Sequence, residues 1–237
     1  MKPYPSQIDI NNVIRSFSNE KYKQSEKLAK KLINTFPEHP FGWKAIAAIY
    51  TQTGRNSEAL NANKKAVNLA PNDAEAHSNL GNIFKELGRF NEAETSCRKA
   101  LELKPNLSEA YNNLGIILQE FENLDEAAIN FRKAIKIKPN FLEAYINLGN
   151  VLKEKGKIVD AINEYKKTLQ ILPNYKIAFY SIGNALVGIS FKKHLPDLEE
   201  VIYKILEKKI YVRPKYISKT IVSLLKYNPK LVNAFKV

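Results

Sequence analysis

Residues 74–106 read AEAHSNLGNIFKELGRFNEAETSCRKALELKPN. The same phrasing returns at 108–140, SEAYNNLGIILQEFENLDEAAINFRKAIKIKPN, and at 142–174, LEAYINLGNVLKEKGKIVDAINEYKKTLQILPN. Five prolines, Pro37, Pro71, Pro105, Pro139 and Pro173, keep the same 34-residue spacing. A fixed period in this range marks a protein made by stacking one supersecondary unit. Take Ser6, Pro40, Ala74, Ser108 and Leu142 as position 1 of successive units. Position 8 is then Val13, Ala47, Gly81, Gly115 and Gly149, and position 20 is Ser25, Ala59, Ala93, Ala127 and Ala161.

Each unit predicts two short helices. Positions 4, 7, 8 and 11 form one apolar face at helical spacing, as in His77, Leu80, Gly81 and Phe84. The second helix shows Ala93, Cys97 and Ala100, again three to four apart. Gly54, Gly88 and Gly156 mark the turn between them, because glycine accepts the positive φ of a helix C-cap. The fourth unit has Glu122 there, which predicts a tighter or strained turn. Asp73 and Ser108 are candidate N-caps, Pro40 suits a first helical turn, and the periodic prolines stop each second helix. Small residues at positions 8 and 20 let helix backbones approach closely. One pair cannot bury both its faces, so stability comes from stacking.

These three stretches resemble the tetratricopeptide repeat along their whole length. The resemblance covers residues 40–175 strongly, as units 40–73, 74–107, 108–141 and 142–175. Residues 6–39 match only in their second half, since Asp9, Asn12 and Ser16 stand where bulky apolar residues belong. Residues 176–188 read as half a further unit, and 189–237 as a basic helical cap or connector. The resemblance implies an all-α, right-handed solenoid of antiparallel helix pairs, a tetratricopeptide superhelix closed by the C-terminal helical cap. It further implies a non-enzymatic scaffold that binds a peptide or protein in a concave groove lined by the first helices. The alternative is a substrate-recruiting arm of a glycosyl-, sulfo- or methyltransferase whose catalytic domain lies elsewhere, as in longer bacterial chains of this kind.

In the family, positions 2, 5, 6, 9, 12 and 13 face the groove. Here that gives amides at position 6 (Asn79, Asn113, Asn147) and position 9 (Asn82, Asn150, Asn184), with Lys44 at position 5. An amide offers one acceptor and two donors, which suits an extended backbone. The two rows resemble the asparagine ladder in the repeat arm of O-linked N-acetylglucosamine transferases. A carboxylate clamp for chaperone tails needs Lys and Arg at positions 2, 5 and 6. Position 2 is Glu75, Glu109 and Glu143 instead, and Lys44 alone fits, so no such clamp is expected.

The net charge of +13 is uneven, for residues 176–237 hold 12 Lys and Arg against 4 Asp and Glu. With 31 Lys to 6 Arg, the excess reads as a solvated basic surface rather than a nucleic-acid interface. Basic pairs from Lys30/Lys31 to Lys166/Lys167 recur at positions 25 and 26, in the last turns of second helices, where cations complement the helix dipole. His39, His77 and His194 share no ligand spacing with Cys97, and no phosphate loop or nucleophile motif occurs, so neither metal nor cofactor is expected. His77 reads as a packed residue and Cys97 as inert core. The single cysteine, the N-terminus MKPYPSQIDINN without an apolar stretch, and the lack of a run of roughly 18 apolar residues lead to the expectation of a cytoplasmic protein without a membrane span. In the C-terminal quarter, helices are expected over 197–209, with Val201, Ile202, Ile205 and Leu206 inward, and over 214–227, with a stripe of Ile217, Ile221, Leu224 and Leu225. A last short helix would open at Pro229. The register makes one direct prediction: Ala127→Leu overpacks a helix junction at a cost of about 1–3 kcal/mol, and an unchanged thermal melt would count against it.

Overall fold

The computed structural model describes residues 4–192, 195–208 and 214–229. Among these there are thirteen α-helices and no strand. The chain divides into two compact units, Met1–Ile137 and Lys138–Val237. The first contains α1 (Gln7–Ser18), α2 (Tyr22–Thr35), α3 (Pro40–Gln52), α4 (Asn56–Leu69), α5 (Ala74–Glu86), α6 (Phe90–Leu103), α7 (Ser108–Glu120) and α8 (Leu124–Ile137). Each odd helix packs against the even helix that follows, and α1, α3, α5 and α7 also touch in order. The first helices therefore lie side by side as one layer. The second unit contains α9 (Leu142–Glu154), α10 (Ile158–Ile171), α11 (Lys176–Leu186), α12 (Pro196–Lys208) and α13 (Pro214–Leu225). There α9 pairs with α10, and α11 packs on both.

The turns inside the pairs are built alike. Gly54, Gly88 and Gly156 adopt φ of 73°, 69° and 72°. Each is followed by a residue whose N–H reaches five residues back, as Arg89 does to the Phe84 carbonyl at 2.9 Å. Glu122 takes the same place with φ 58°, and Asn123 closes on the Leu118 carbonyl at 2.8 Å. Glu20, at φ 56°, is a second non-glycine in this strained region. A left-handed residue with a Cβ costs roughly 1–2 kcal/mol, so the closing bonds and flanking packing hold these turns against their own preference. The periodic prolines stand two residues past the ends of α2, α4, α6, α8 and α10. The ring at position 4 ties back to them: Trp43 Nε1 donates to the Pro37 carbonyl at 2.8 Å, and His77 Nε2 lies 2.8 Å from that of Pro71.

Two sequence expectations are corrected. Asp73 caps α5, accepting from Glu75 and Ala76 N–H, but Ser108 does not cap α7. Leu107 holds the cap position without a side-chain bond, and Ser108 is the first helical residue. Leu107 is buried with Ala74, Ala100 and Ala110, and that burial sets the register of the helix start. In α13, Leu225 is 40% exposed, whereas Ile217, Thr220 and Leu224 are buried. Thr220 earns its place through its hydroxyl, 2.6 Å from both the Leu186 and Ile189 carbonyls at the end of α11. The residues after Pro229, where the last helix is expected, and His194 lie outside the described residues.

The tightest packing is inside each pair, between positions 8 and 24. A Cβ on Gly81 would lie 2.5 Å from Cys97 Sγ, and one on Gly115 would lie 2.6 Å from the Phe131 ring. At Gly149 it would collide with the Tyr165 ring, more severely than at the other two. That ring is fully buried, and its hydroxyl donates to Asn150 Oδ1 at 2.8 Å, so it cannot swing away. Ala47, with a methyl group at position 8, is matched with Asn63, whose amide donates to the Ala76 carbonyl at 2.7 Å. Gly149→Ala should therefore destabilise the protein. Overpacking of about 1–3 kcal/mol outweighs the gain in helix propensity of about 1 kcal/mol. Thermal melts of this variant alone and combined with Tyr165→Leu should show the loss and its relief.

Candidate protein-binding face

The layer of first helices in the first unit is not flat. A groove of about 380 Å³ runs between α1, α3 and α5. Its floor is apolar, from Ile14 and Phe17 on α1 and Phe41, Ala45 and Ala48 on α3. Ile14 is half exposed, so part of this floor faces solvent. The rim is polar: Lys44, Glu75 and Asn79. The sequence reading missed the apolar floor. Its signal was available in Ile10, Ile14 and Phe17, spaced four and three apart on α1. The weight given to Asp9, Asn12 and Ser16 on the same helix obscured it.

Lys44 joins two helices. Its Nζ lies 2.7 Å from Asp73 Oδ2 and 3.5 Å from Glu75 Oε2. Glu75 also meets Lys104 at 3.3 Å. Burial alone would raise the Asp73 pKa. The Lys44 ammonium and the N–H groups of Ala76 and Glu75 more than offset that and hold it below its ordinary value. Lys44 is thus bound into the junction rather than presented as a lone cation.

The six amides differ in their surroundings. In the first unit Asn79 is exposed, Asn82 is half-buried, and Asn113 is buried at 9% exposure. In the second unit Asn147 and Asn150 are half-buried and Asn184 is exposed. Asn150 accepts from the Tyr165 hydroxyl, a proton that burial makes hard to lose. Asn79 and Asn184 are the exposed amides, and Asn79 alone of the six borders the apolar groove.

Burial pushes the Cys97 thiol up to about 12, so it stays protonated near neutral pH and is a poor nucleophile. Among the described residues no group of three His, Cys, Asp or Glu could hold a metal ion. No described helix is long and apolar enough to cross a membrane.

Family profiles described as tetratricopeptide repeat match residues 72–140 and 130–163, and one described as TPR repeat matches 47–88 and 149–189. Together they run without a gap over more than half of the 237 residues. Among solved structures, PilW, titled a widely conserved type IV pilus biogenesis factor, is 18% identical with a TM-score of 0.72, covering 98% of this chain and 100% of that one. PilF of Pseudomonas aeruginosa is 16% identical with a TM-score of 0.69, over 85% of this chain and 89% of that one. MamA is 24% identical with a TM-score of 0.56, over 69% and 90%. At these identities the likeness is one of fold. No curated protein sequence matches the chain significantly.

The junction can be probed by acid. Folded Asp73 has the lower pKa, so the unfolded chain binds more protons and stability rises with pH. Its contribution is complete above the ordinary value of 3.8 and is lost as pH falls through the lower folded value. Asp73→Asn keeps a capping side chain but loses the ion pair. Denaturant melts across the acid range should show a shallower loss for this variant than for the parent.

Proposed function

The chain belongs to the tetratricopeptide-repeat family, and from that premise we propose that it is a protein-interaction scaffold that holds a peptide or protein segment along its first helices. One observation carries the reading: an apolar groove across α1, α3 and α5 with an exposed amide, Asn79, on its rim. An extended segment gains there in two ways. Apolar side chains leave water against Phe17, Phe41 and Ala45, and backbone groups pair with amides that offer both donors and acceptors. The amide positions resemble those of the repeat arm in O-linked N-acetylglucosamine transferases, which supports contacts directed at backbone rather than at particular side chains. The scaffold needs no catalytic group of its own, and the protonated, buried Cys97 fits that role.

The test is selection of binders from a displayed random-peptide library on the immobilised protein. Asn79→Ala combined with Asn82→Ala should weaken the selected peptides about thirtyfold, since two net hydrogen bonds contribute about 1 kcal/mol each. The melting curve should be unchanged. An outer-face control, Lys133→Ala, should bind normally. Peptides that ignore the amide variant and lose affinity for the control would place recognition on the second helices and end this reading.

A further inference from the structure

We propose that the hollow beside the first repeat junction, lined by Tyr4, Phe36 and His39, is a binding site for an organic cation of the alkylammonium class. The hollow measures about 600 Å³ and is bordered also by Pro37, Glu38 and Pro40. Tyr4 and His39 meet edge to face, with ring centroids 5.7 Å apart and planes at 86°, and so form a corner. Phe36 lines the same space. Aromatic faces carry negative potential and attract a cation that sheds its water among them. Glu38 is exposed at the border, and the lining includes no lysine or arginine. An apolar guest would gain nothing from that carboxylate, whereas a cation would.

The junction departs from the chain's own repeat at the residues that matter. The later prolines are each followed by asparagine, Asn72, Asn106, Asn140 and Asn174, where this junction has Glu38. The residues before those prolines are Ala70, Lys104, Lys138 and Leu172, where this junction has Phe36. His39 takes the place of Asp73 as helix cap: its Nδ1 accepts from Phe41 N–H at 3.3 Å, which requires an unprotonated nitrogen. Burial lowers its pKa, so the ring is neutral near neutral pH and does not repel a cation. Tyr4, Glu38 and His39 are the titratable groups that border the space.

Choline and its neutral isostere dimethylbutanol, tested on the full chain, separate a cation site from a plain apolar hollow. Binding is read by saturation transfer to the ligand methyl protons. A second readout is the fluorescence of Trp43, the single tryptophan, whose indole bonds the Pro37 carbonyl. Choline should bind at least about fivefold more tightly than the isostere. Tyr4→Ala and Glu38→Gln should each weaken choline severalfold without moving the melt. Choline affinity should fall on acidification as His39 becomes charged. Equal binding of the isostere, no saturation transfer to choline, or choline binding indifferent to Tyr4→Ala would each overturn the proposal.

Discussion

Everything in this protein depends on how closely two helices of one pair approach. Position 8 has no side chain at Gly81, Gly115 and Gly149, and position 24 fills the space with Cys97, Phe131 and Tyr165. Where position 8 grows to Ala47 or Val13, position 24 becomes Asn63 or Ala29. The bulkiest partners, Phe131 and Tyr165, stand against glycine, and the bulkiest residue at position 8, Val13, has only alanine at position 24. Close-packed interiors tolerate little change in volume, so this single contact sets the spacing of the helices and with it the place of every first-helix side chain. The buried alanines at position 20, each fully shielded from Ala59 to Ala161, are the same constraint seen from the second helix.

Much of this could be read from residues alone, because the period is physical. A proline two residues past a helix end, a glycine in a left-handed turn and an alanine between backbones each narrow the choice of residue, and the choice largely recurs. The pairs, the turns and even the irregular turn at Glu122 were legible for that reason. Ser108 was misread because capping propensity is local, while burial of Leu107 is decided by residues of three different helices. Thr220 was passed over because a hydroxyl in an apolar stripe looks like an interruption until its carbonyl partners are brought alongside.

The binding face was only partly legible. Six asparagines at two repeat positions look equivalent in a list of letters. Their exposures differ because each neighbour differs: Tyr165 occupies Asn150, and Asn113 is buried, while Asn79 borders open space. The apolar floor comes in part from α1, a helix whose sequence matches the repeat poorly. At that end Ile14 is half exposed, and Phe17, packed edge to face on Tyr22, lines the groove beside it. Periodicity thus reports the frame, and its failures mark where the surface departs from it.

The partners at positions 8 and 24 lie sixteen residues apart, inside a single 34-residue unit. A segment of chain copied in register therefore carries both halves of its own size match, glycine together with its ring or methyl together with its amide. Where position 24 is a ring or a thiol, lengthening the array by duplication keeps this contact whole, whereas Asn63 also donates to the Ala76 carbonyl of the next unit. Coupling between units instead falls to the junctions, where Lys44 reaches Asp73 and Glu75 and where Trp43 and His77 bond the preceding proline carbonyl. The molecule thereby separates what must be inherited together from what is free to diverge.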